Sequence, residues 1–285
     1  MIKTTNCGQT ALVVEGGAMR GVFTTGVLDG FLKAGFNPFD FHIGVSSGAS
    51  NLAAFLAEMP GRNFRIYTDY SLRPEFIDFK RFLRGGHLMD LDWMWDITIK
   101  EVRLNLRKIQ SSGKPFFVCL TDVKTGLSVY WKTEESDLEA ALKASSALPV
   151  IYRGFPNLYG RSFADGGISD PLPVKAACGM GARKIMVIRS RPASYFKKES
   201  LLQTILLFHL RKYPHLKKAF ESRVIKYNNS VMFLRTPPAG LSVVEICPPE
   251  NFRQTRLGRE KKLLTESYEL GKRMAAEAMD RWHDL

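Results

Sequence analysis

The chain has 285 residues, 45% of them hydrophobic and 24% charged. That is ordinary globular usage, long enough for one large domain with a sizeable core, or a domain plus an appendage. No apolar run approaches the ~20 residues a membrane-spanning helix needs. Met1 to Thr10 is polar, which argues against a signal peptide. Cys7, Cys119, Cys178 and Cys247 show no pairing or metal-ligand spacing and read as reduced thiols. These features predict a cytoplasmic protein with no metal and no cofactor. The net charge is +13, and it is uneven: Arg189 to Leu285 carries 19 Lys+Arg against 10 Asp+Glu. A basic C-terminal third suits an anionic partner, whether phospholipid surface, acidic substrate or nucleic acid. It equally suits a solvated face, and the residues leave both readings open.

In chain order, Ala11 to Glu15 is an apolar run ending in Gly16-Gly17, a first strand. Gly21 to Lys33 has Val22, Val27, Leu28, Phe31 and Leu32 at helical spacing and stops near Gly35. Phe39 to Val45 reads as a second buried strand and Ala49 to Met59 as a second helix. Strand, helix, strand, helix is the pattern of a parallel α/β layer sandwich. Pro60 to Ser112 is rich in aromatics and arginines and predicts helices and loops over the active-site end. It is either an insertion packed on the core or a pocket or lid, with Phe64 to Trp95 shaping specificity in the second case. Pro115–Thr121 and Leu127–Lys132 flank a turn over residues 122–126, a hairpin. Leu138–Ala144 is helical up to Leu148-Pro149. Val150–Phe155 and Arg161–Ala164 read as strands either side of a turn, Pro173–Met180 as a helix and Lys184–Ser190 as a strand. Beyond Pro192 come charged helices over Glu199–Lys212, Pro214–Phe233 and Leu257–Trp282, interrupted by a strand over Leu241–Cys247. A boundary near residue 190 separates a catalytic domain, 1–190, from a basic, mostly helical region, 191–285. That region is either a subdomain or helices packed on the sheet edge.

Gly44-Val45-Ser46-Ser47-Gly48 is a G-x-S-x-G between strand and helix. Such an elbow is a sharp turn that pushes a serine hydroxyl out of the backbone, with Gly44 and Gly48 leaving room for the strand and helix it brings close. A serine hydroxyl needs a base and an oxyanion hole. His42, His87, His209, His215 and His283 are the histidines, and none follows a strand in the loop position of an α/β-hydrolase base. Asp165, in Ala164-Asp165-Gly166-Gly167, ends a strand and is the better base, although Asp-Gly-Gly by itself is usually a turn. Glu15-Gly16-Gly17-Ala18-Met19-Arg20-Gly21 exposes backbone N–H groups at a helix N-terminus, a ready anion site. A dinucleotide fingerprint fits it poorly, since Ala18 replaces the middle glycine and Asp40 precedes the strand that should end in an acid. Arg20 either supports this loop, attracts a phosphate or forms a surface ion pair.

Together these three motifs resemble the patatin-like phospholipase family, whose order is D-G-G-G-x-R/K-G, then G-x-S-x-G, then D-G-G/A. Residues 144–149, Ala-Ser-Ser-Ala-Leu-Pro, and 170–173, Asp-Pro-Leu-Pro, are similar to its later blocks, and the resemblance spans about Ala11 to Pro192. It implies a three-layer α/β/α fold with a mostly parallel sheet, plus extra C-terminal helices. It implies a lipid acyl hydrolase, phospholipase A- or lysophospholipase-like, with Ser46 as nucleophile, Asp165 as proton acceptor and Gly16, Gly17 and Ala18 in the oxyanion loop. Glu15 stands where the family has Asp, and Ala18 where it has the third glycine. The expected partners are a phospholipid or other acyl ester and, through the basic third, the anionic inner face of a membrane. A specific nucleic-acid partner is not expected. Two alternatives stand beside this reading. One is a non-catalytic lipid- or nucleic-acid-binding protein on the same scaffold, and the other an esterase or thioesterase for soluble acyl donors.

Overall fold

A computed structural model describes residues 8–199 and 207–284. Cys7 and residues 200–206 of the helix expected over Glu199–Lys212 lie outside the described residues. The strands are β1 (Gln9–Val14), β2 (Phe41–Val45), β3 (Phe116–Asp122), β4 (Ser128–Lys132), β5 (Asn157–Leu158), β6 (Arg161–Asp165), β7 (Ala182–Ile188) and β8 (Ser242–Ile246). They form one sheet in the order β5-β6-β3-β2-β1-β7-β8, with β4 also paired to β3. The pairs among β3, β2, β1, β7 and β8 are parallel, and those of β3 with β4 and β6 are antiparallel.

The parallel strands are apolar on both faces because both faces are covered. Leu12, Val14, Met186 and Ile188 pack under α1 (Gly21–Lys33), α2 (Ser47–Leu56), α7 (Leu138–Ser146) and α11 (Lys261–His283). Ala11, Val13, Ile43 and Val187 pack under α8 (Val174–Gly179) and α10 (Arg223–Arg235). Residues after 190 thus add β8 to the sheet edge and two helices to its faces. The insertion carries α3 (Arg62–Thr68), α4 (Phe79–Leu83), α5 (Leu91–Val102) and α6 (Leu106–Ser111). Three of these start at a side-chain cap: Asp78, Asp90 and Asn105 accept from the first-turn N–H groups of Lys80, Trp93 and Lys108.

Two expected elements differ. Val150–Phe155 is not a strand: Val150 has φ +72°, and the Ile151 carbonyl accepts from Leu88 and Met89 N–H. The segment is pulled into the insertion, and the hairpin onto β6 shrinks to the two residues of β5. The single helix expected over Pro214–Phe233 is two, α9 (Pro214–Glu221) and α10, broken at Ser222. The parts serve different surfaces: Leu216, Ala219 and Phe220 pack with Val123 and Ile168, while Tyr227, Val231 and Leu234 pack on the sheet. The last helix starts at Lys261 rather than Leu257.

One feature of register positions the site. β4 covers one edge of β3 over Phe117–Thr121, so β2 and β6 must share the other. β2 ends there with Val45 opposite Cys119, and β6, running the opposite way, ends with Asp165 opposite Leu120. The two strands meet head to head, and the residues that follow or end them face each other.

The crossing of α1 and α11 depends on small residues. A Cβ on Gly26 would lie 2.0 Å from the Tyr268 carbonyl oxygen, and one on Gly271 2.2 Å from that of Phe23. Gly26→Ala therefore lowers the unfolding free energy by about 1–3 kcal/mol, because backbone overpacking outweighs the ~1 kcal/mol helix-propensity gain. Urea denaturation of the folded variant measures it.

Candidate active site

The elbow has the geometry its sequence demands. Ser46 sits at φ +53°, ψ −128°, a sparsely populated conformation that costs about 1–3 kcal/mol and is held by its surroundings. A Cβ on Gly44 would be 2.4 Å from Ala49 Cα, and one on Gly48 2.6 Å from the Val14 and Glu15 carbonyl oxygens. Ser46 N–H donates to Ser145 Oγ at 2.8 Å, and Ser145 Oγ donates to the Cys119 carbonyl at 2.7 Å. The strained turn is thereby tied to β3 through α7.

Ser46 Oγ donates to Asp165 Oδ2 at 2.9 Å. The other carboxylate oxygen accepts from Gly167 N–H at 2.7 Å, and Thr121 Oγ1 donates to the Asp165 carbonyl at 2.8 Å. Burial pushes the Asp165 pKa above the usual carboxylate range; the Arg223 charge, the Gly167 and Ser46 hydrogen bonds and the Arg256 charge pull against it. A desolvated carboxylate held this way can accept a hydroxyl proton. Among the described residues no histidine lines the same cavity. His42 is fully buried on Asn37, its pKa lowered to about 3 by desolvation, and His87 stacks on Tyr152.

The glycine-rich loop folds over the elbow. Glu15 Oε2 accepts from Ser190 N–H at 2.7 Å, so its carboxylate anchors the loop to the end of β7. Gly17 N–H donates to Ser47 Oγ at 2.8 Å, Met19 N–H to the Arg256 carbonyl at 3.3 Å, and Asn51 Nδ2 to the Gly21 carbonyl at 2.8 Å. Gly17 N–H is thus occupied, whereas Ala18 N–H makes no hydrogen bond among the described residues. Arg20 is buried and donates through Nε to the Ser190 carbonyl at 3.1 Å, which places it under the loop rather than in a surface ion pair. Gly16, Gly17, Ala18, Met19, Arg20, Ser46, Ser47, Asp165 and Gly167 all line one cavity; Gly21, Gly44, Gly48 and Gly166 are the hinges behind it.

That cavity has a volume of about 530 Å³. An apolar arm of its lining holds Phe76, Phe82, Leu88, Met94, Trp95 and Leu142, a basic arm holds Arg20, Arg191, Lys197, Arg223 and Arg256, and Arg62 and Glu139 line the cavity as well. Sequence reasoning missed the parts played by Ser145, Thr121, Arg223 and Arg256. Ser145 lay in the 144–149 block without an assigned part, no local motif marks the other three, and the excess of basic residues after Arg189 was the one trace of Arg223 and Arg256.

Ala18 has φ +49°, in the left-handed region that favours glycine. A Cβ there costs about 1–2 kcal/mol, partly offset by the greater chain entropy of unfolded glycine. Ala18→Gly therefore raises the unfolding free energy by about 0.5–1 kcal/mol, read by urea denaturation.

The sequence pattern of the patatin-like phospholipase family matches residues 12–178, and a domain of unknown function matches residues 213–285. The Escherichia coli K12 protein YjjU is 36% identical over 269 residues, covering 93% of this chain and 75% of that protein. The probable lipid hydrolase 463L of invertebrate iridescent virus 6 is 27% identical, over 58% of this chain and 62% of the viral protein. An NTE family protein of Mycobacterium bovis is 25% identical, over 64% of this chain and about half (49%) of its own length. Among solved structures, VipD of Legionella pneumophila aligns with 13% identity and a TM-score of 0.44, over 96% of this chain and 67% of that one. With its glycine loop, elbow and Asp-Gly-Gly brought to one cavity, and with that match over more than half its length, this chain belongs to the patatin-like phospholipase family.

Proposed function

We propose that the protein is a serine lipid acyl hydrolase in which Ser46 is the nucleophile and Asp165 its base. The observation that carries this reading is the 2.9 Å hydrogen bond from Ser46 Oγ to a buried carboxylate in a cavity with an apolar arm. Ser46 Oγ attacks the ester carbonyl as its proton passes to Asp165. The tetrahedral oxyanion forms beside the glycine loop, where the Ala18 N–H is free to donate, an interaction worth ~3–4 kcal/mol per donor. Asp165 returns the proton to the leaving alcohol, and an acyl-enzyme remains. Water then attacks it as Asp165 takes the water's proton, and Asp165 returns that proton to Ser46 Oγ as the acyl C–O bond breaks and the fatty acid is released. The acyl chain lies in the arm formed by Phe76, Phe82, Leu88 and Trp95.

A lipid surface is the natural source of substrate. Phe79 and Leu257 line the cavity yet are 58% and 41% exposed, an apolar rim of the kind that contacts membranes. No helix among the described residues is long and apolar enough to cross a membrane, so contact through this rim and the basic third would be peripheral.

Ser46→Ala lowers turnover of micellar phospholipid by about 10⁴-fold or more and abolishes labelling by a fluorophosphonate. Labelling that survives in the folded variant removes Ser46 from the role, and absence of labelling in wild type favours a non-catalytic lipid-binding protein. Faster cleavage of a short monomeric ester than of micellar phospholipid would point instead to a soluble-ester hydrolase.

The base must be ionised to act. Because burial raises the Asp165 pKa, kcat/KM falls as pH drops through a value above the ordinary carboxylate range. A pH profile shows this acid limb in wild type. Asp165→Asn loses about 10³–10⁴-fold in rate and has no such limb.

A further inference from the structure

Asp165 is 7% exposed, and a carboxyl buried without a counter-charge holds its proton up to pKa values of about 8–9. In that form it cannot take a proton from Ser46. Its oxygens accept from Ser46 Oγ and Gly167 N–H, both neutral donors. Among the described residues neither Asp165 nor Arg223 forms an ion pair within 4.0 Å. The carboxylate therefore needs a cation that acts on it without touching it.

The start of α10 supplies one. Arg223 is the first residue after the break at Ser222, and Lys226 follows it one turn on, so both face the turn that Asp165 opens. Lys226 Nζ donates to the Ser169 carbonyl at 3.0 Å, which pins the helix to that turn. Arg223 Nη2 and Asp165 Oδ1 lie 3.4 Å and 3.0 Å from the point where a Cβ on Gly167 would stand. Glycine puts no side chain between them, and the two charges are about 4–6 Å apart, the range in which an opposite charge favours the ionised carboxyl. Arg223 is 8% exposed, and its Nε is buried without a hydrogen-bond partner.

The other charged and titratable groups around the pair act less or act elsewhere. Burial raises the Asp165 pKa, and the Arg223 charge is the strongest of the influences that pull it back, ahead of the Gly167 and Ser46 hydrogen bonds and of Arg256. Burial and Arg256 push the Arg223 pKa down to about 10, while Asp165, ahead of Glu15 and Tyr195, pulls it up. Glu15 is bonded to Ser190 N–H. Burial, Arg223 and Arg256 lower the Lys197 pKa to about 7, which weakens it as a fixed cation. Cys119 on β3 and Asp170 beyond the turn have pKa values raised by burial, which favours their uncharged forms.

We infer that Arg223 is a positioning residue whose charge keeps Asp165 ionised, so that the region beyond residue 190 supplies the base with its counter-charge. This rests on the reading of Asp165 as the base of Ser46 and adds the group that sets its working pH. When the Ser46 proton reaches Asp165 the pair loses its negative member, and return of that proton to the leaving alcohol restores it.

The test is the acid limb of kcat/KM on an uncharged short ester, in which no substrate charge takes part. Arg223→Met and Arg223→Gln move the limb to higher pH by about one unit or more, and Arg223→Lys brings it back toward the wild-type position. Below the limb this reads as a loss of about tenfold or more that alkaline pH recovers. A neutral variant slowed by one factor at every pH makes Arg223 a packing or substrate-contact residue and overturns the proposal. An equal shift from Arg256→Gln also overturns it, because the field then belongs to the cavity as a whole. If wild type cleaves no ester, the hydrolase reading fails separately, and NMR titration of the Asp165 carboxyl in Ser46→Ala protein reads the ionisation directly. A higher pKa on adding Arg223→Met supports the pairing, and an unchanged one overturns it. If neither neutral variant folds, the same titration in wild type decides: a pKa below about 8 supports a counter-charge, and one at or above it, as for a buried carboxyl without one, overturns it.

Discussion

Everything at the site depends on β2 and β6 ending head to head on one edge of β3. A parallel strand and an antiparallel strand can share that edge only by stopping at adjacent partners, here Cys119 and Leu120. What each strand delivers at its end then meets the other across a hydrogen-bond distance: Ser46 just past β2, Asp165 at the end of β6. The contact joins residues 119 positions apart. β3 enforces it from below through Thr121 and, by way of Ser145, through the Cys119 carbonyl. The hydroxyl and carboxylate are therefore placed by sheet register, which is stiff, rather than by loop conformation, which is not.

The elbow and the glycine loop are where the fold departs from low-energy backbone. Ser46 and Ala18 both take positive φ, and a burial-destabilised carboxylate is bonded to Ser46. These costs fall on residues that line the cavity, while β2 is buried throughout and β1, β3 and β7 are buried over most of their length. The distribution fits a site in which strain and desolvation are tolerated because the sheet and its two helical layers over-determine the local geometry.

Much of this was legible in the sequence. The order of strands and helices through Lys184 followed from apolar runs, glycine turns and helical spacing, and the motifs named Ser46, Asp165 and the loop that the fold brings together. The misses have physical causes. Val150–Phe155 is apolar enough for a strand, but its carbonyls are claimed by the insertion at Leu88 and Met89, a long-range pairing that no local pattern encodes. The break at Ser222 was hidden because no proline or glycine interrupts residues 215–233, and what differs between the halves is the surface each must cover. The roles of Arg223 and Arg256 were invisible for a related reason: a basic residue that enters a cavity and one that faces water look the same in a sequence.

The glycine loop also ties the two ends of the chain together. Met19 N–H is satisfied by the Arg256 carbonyl and Glu15 by Ser190, while α1, which the loop opens, is held by α11 at the Gly26 and Gly271 crossing. The loop to which the proposed mechanism assigns the oxyanion donor is thus fixed from one side by the elbow and α2, through Ser47 and Asn51, and from the other by residues beyond 190. A helix start clamped on both sides cannot collapse onto the hydroxyl it faces. The segment after Arg189 is for this reason part of the machinery that shapes the cavity, and its positive charges reach the cavity because its backbone already holds the loop.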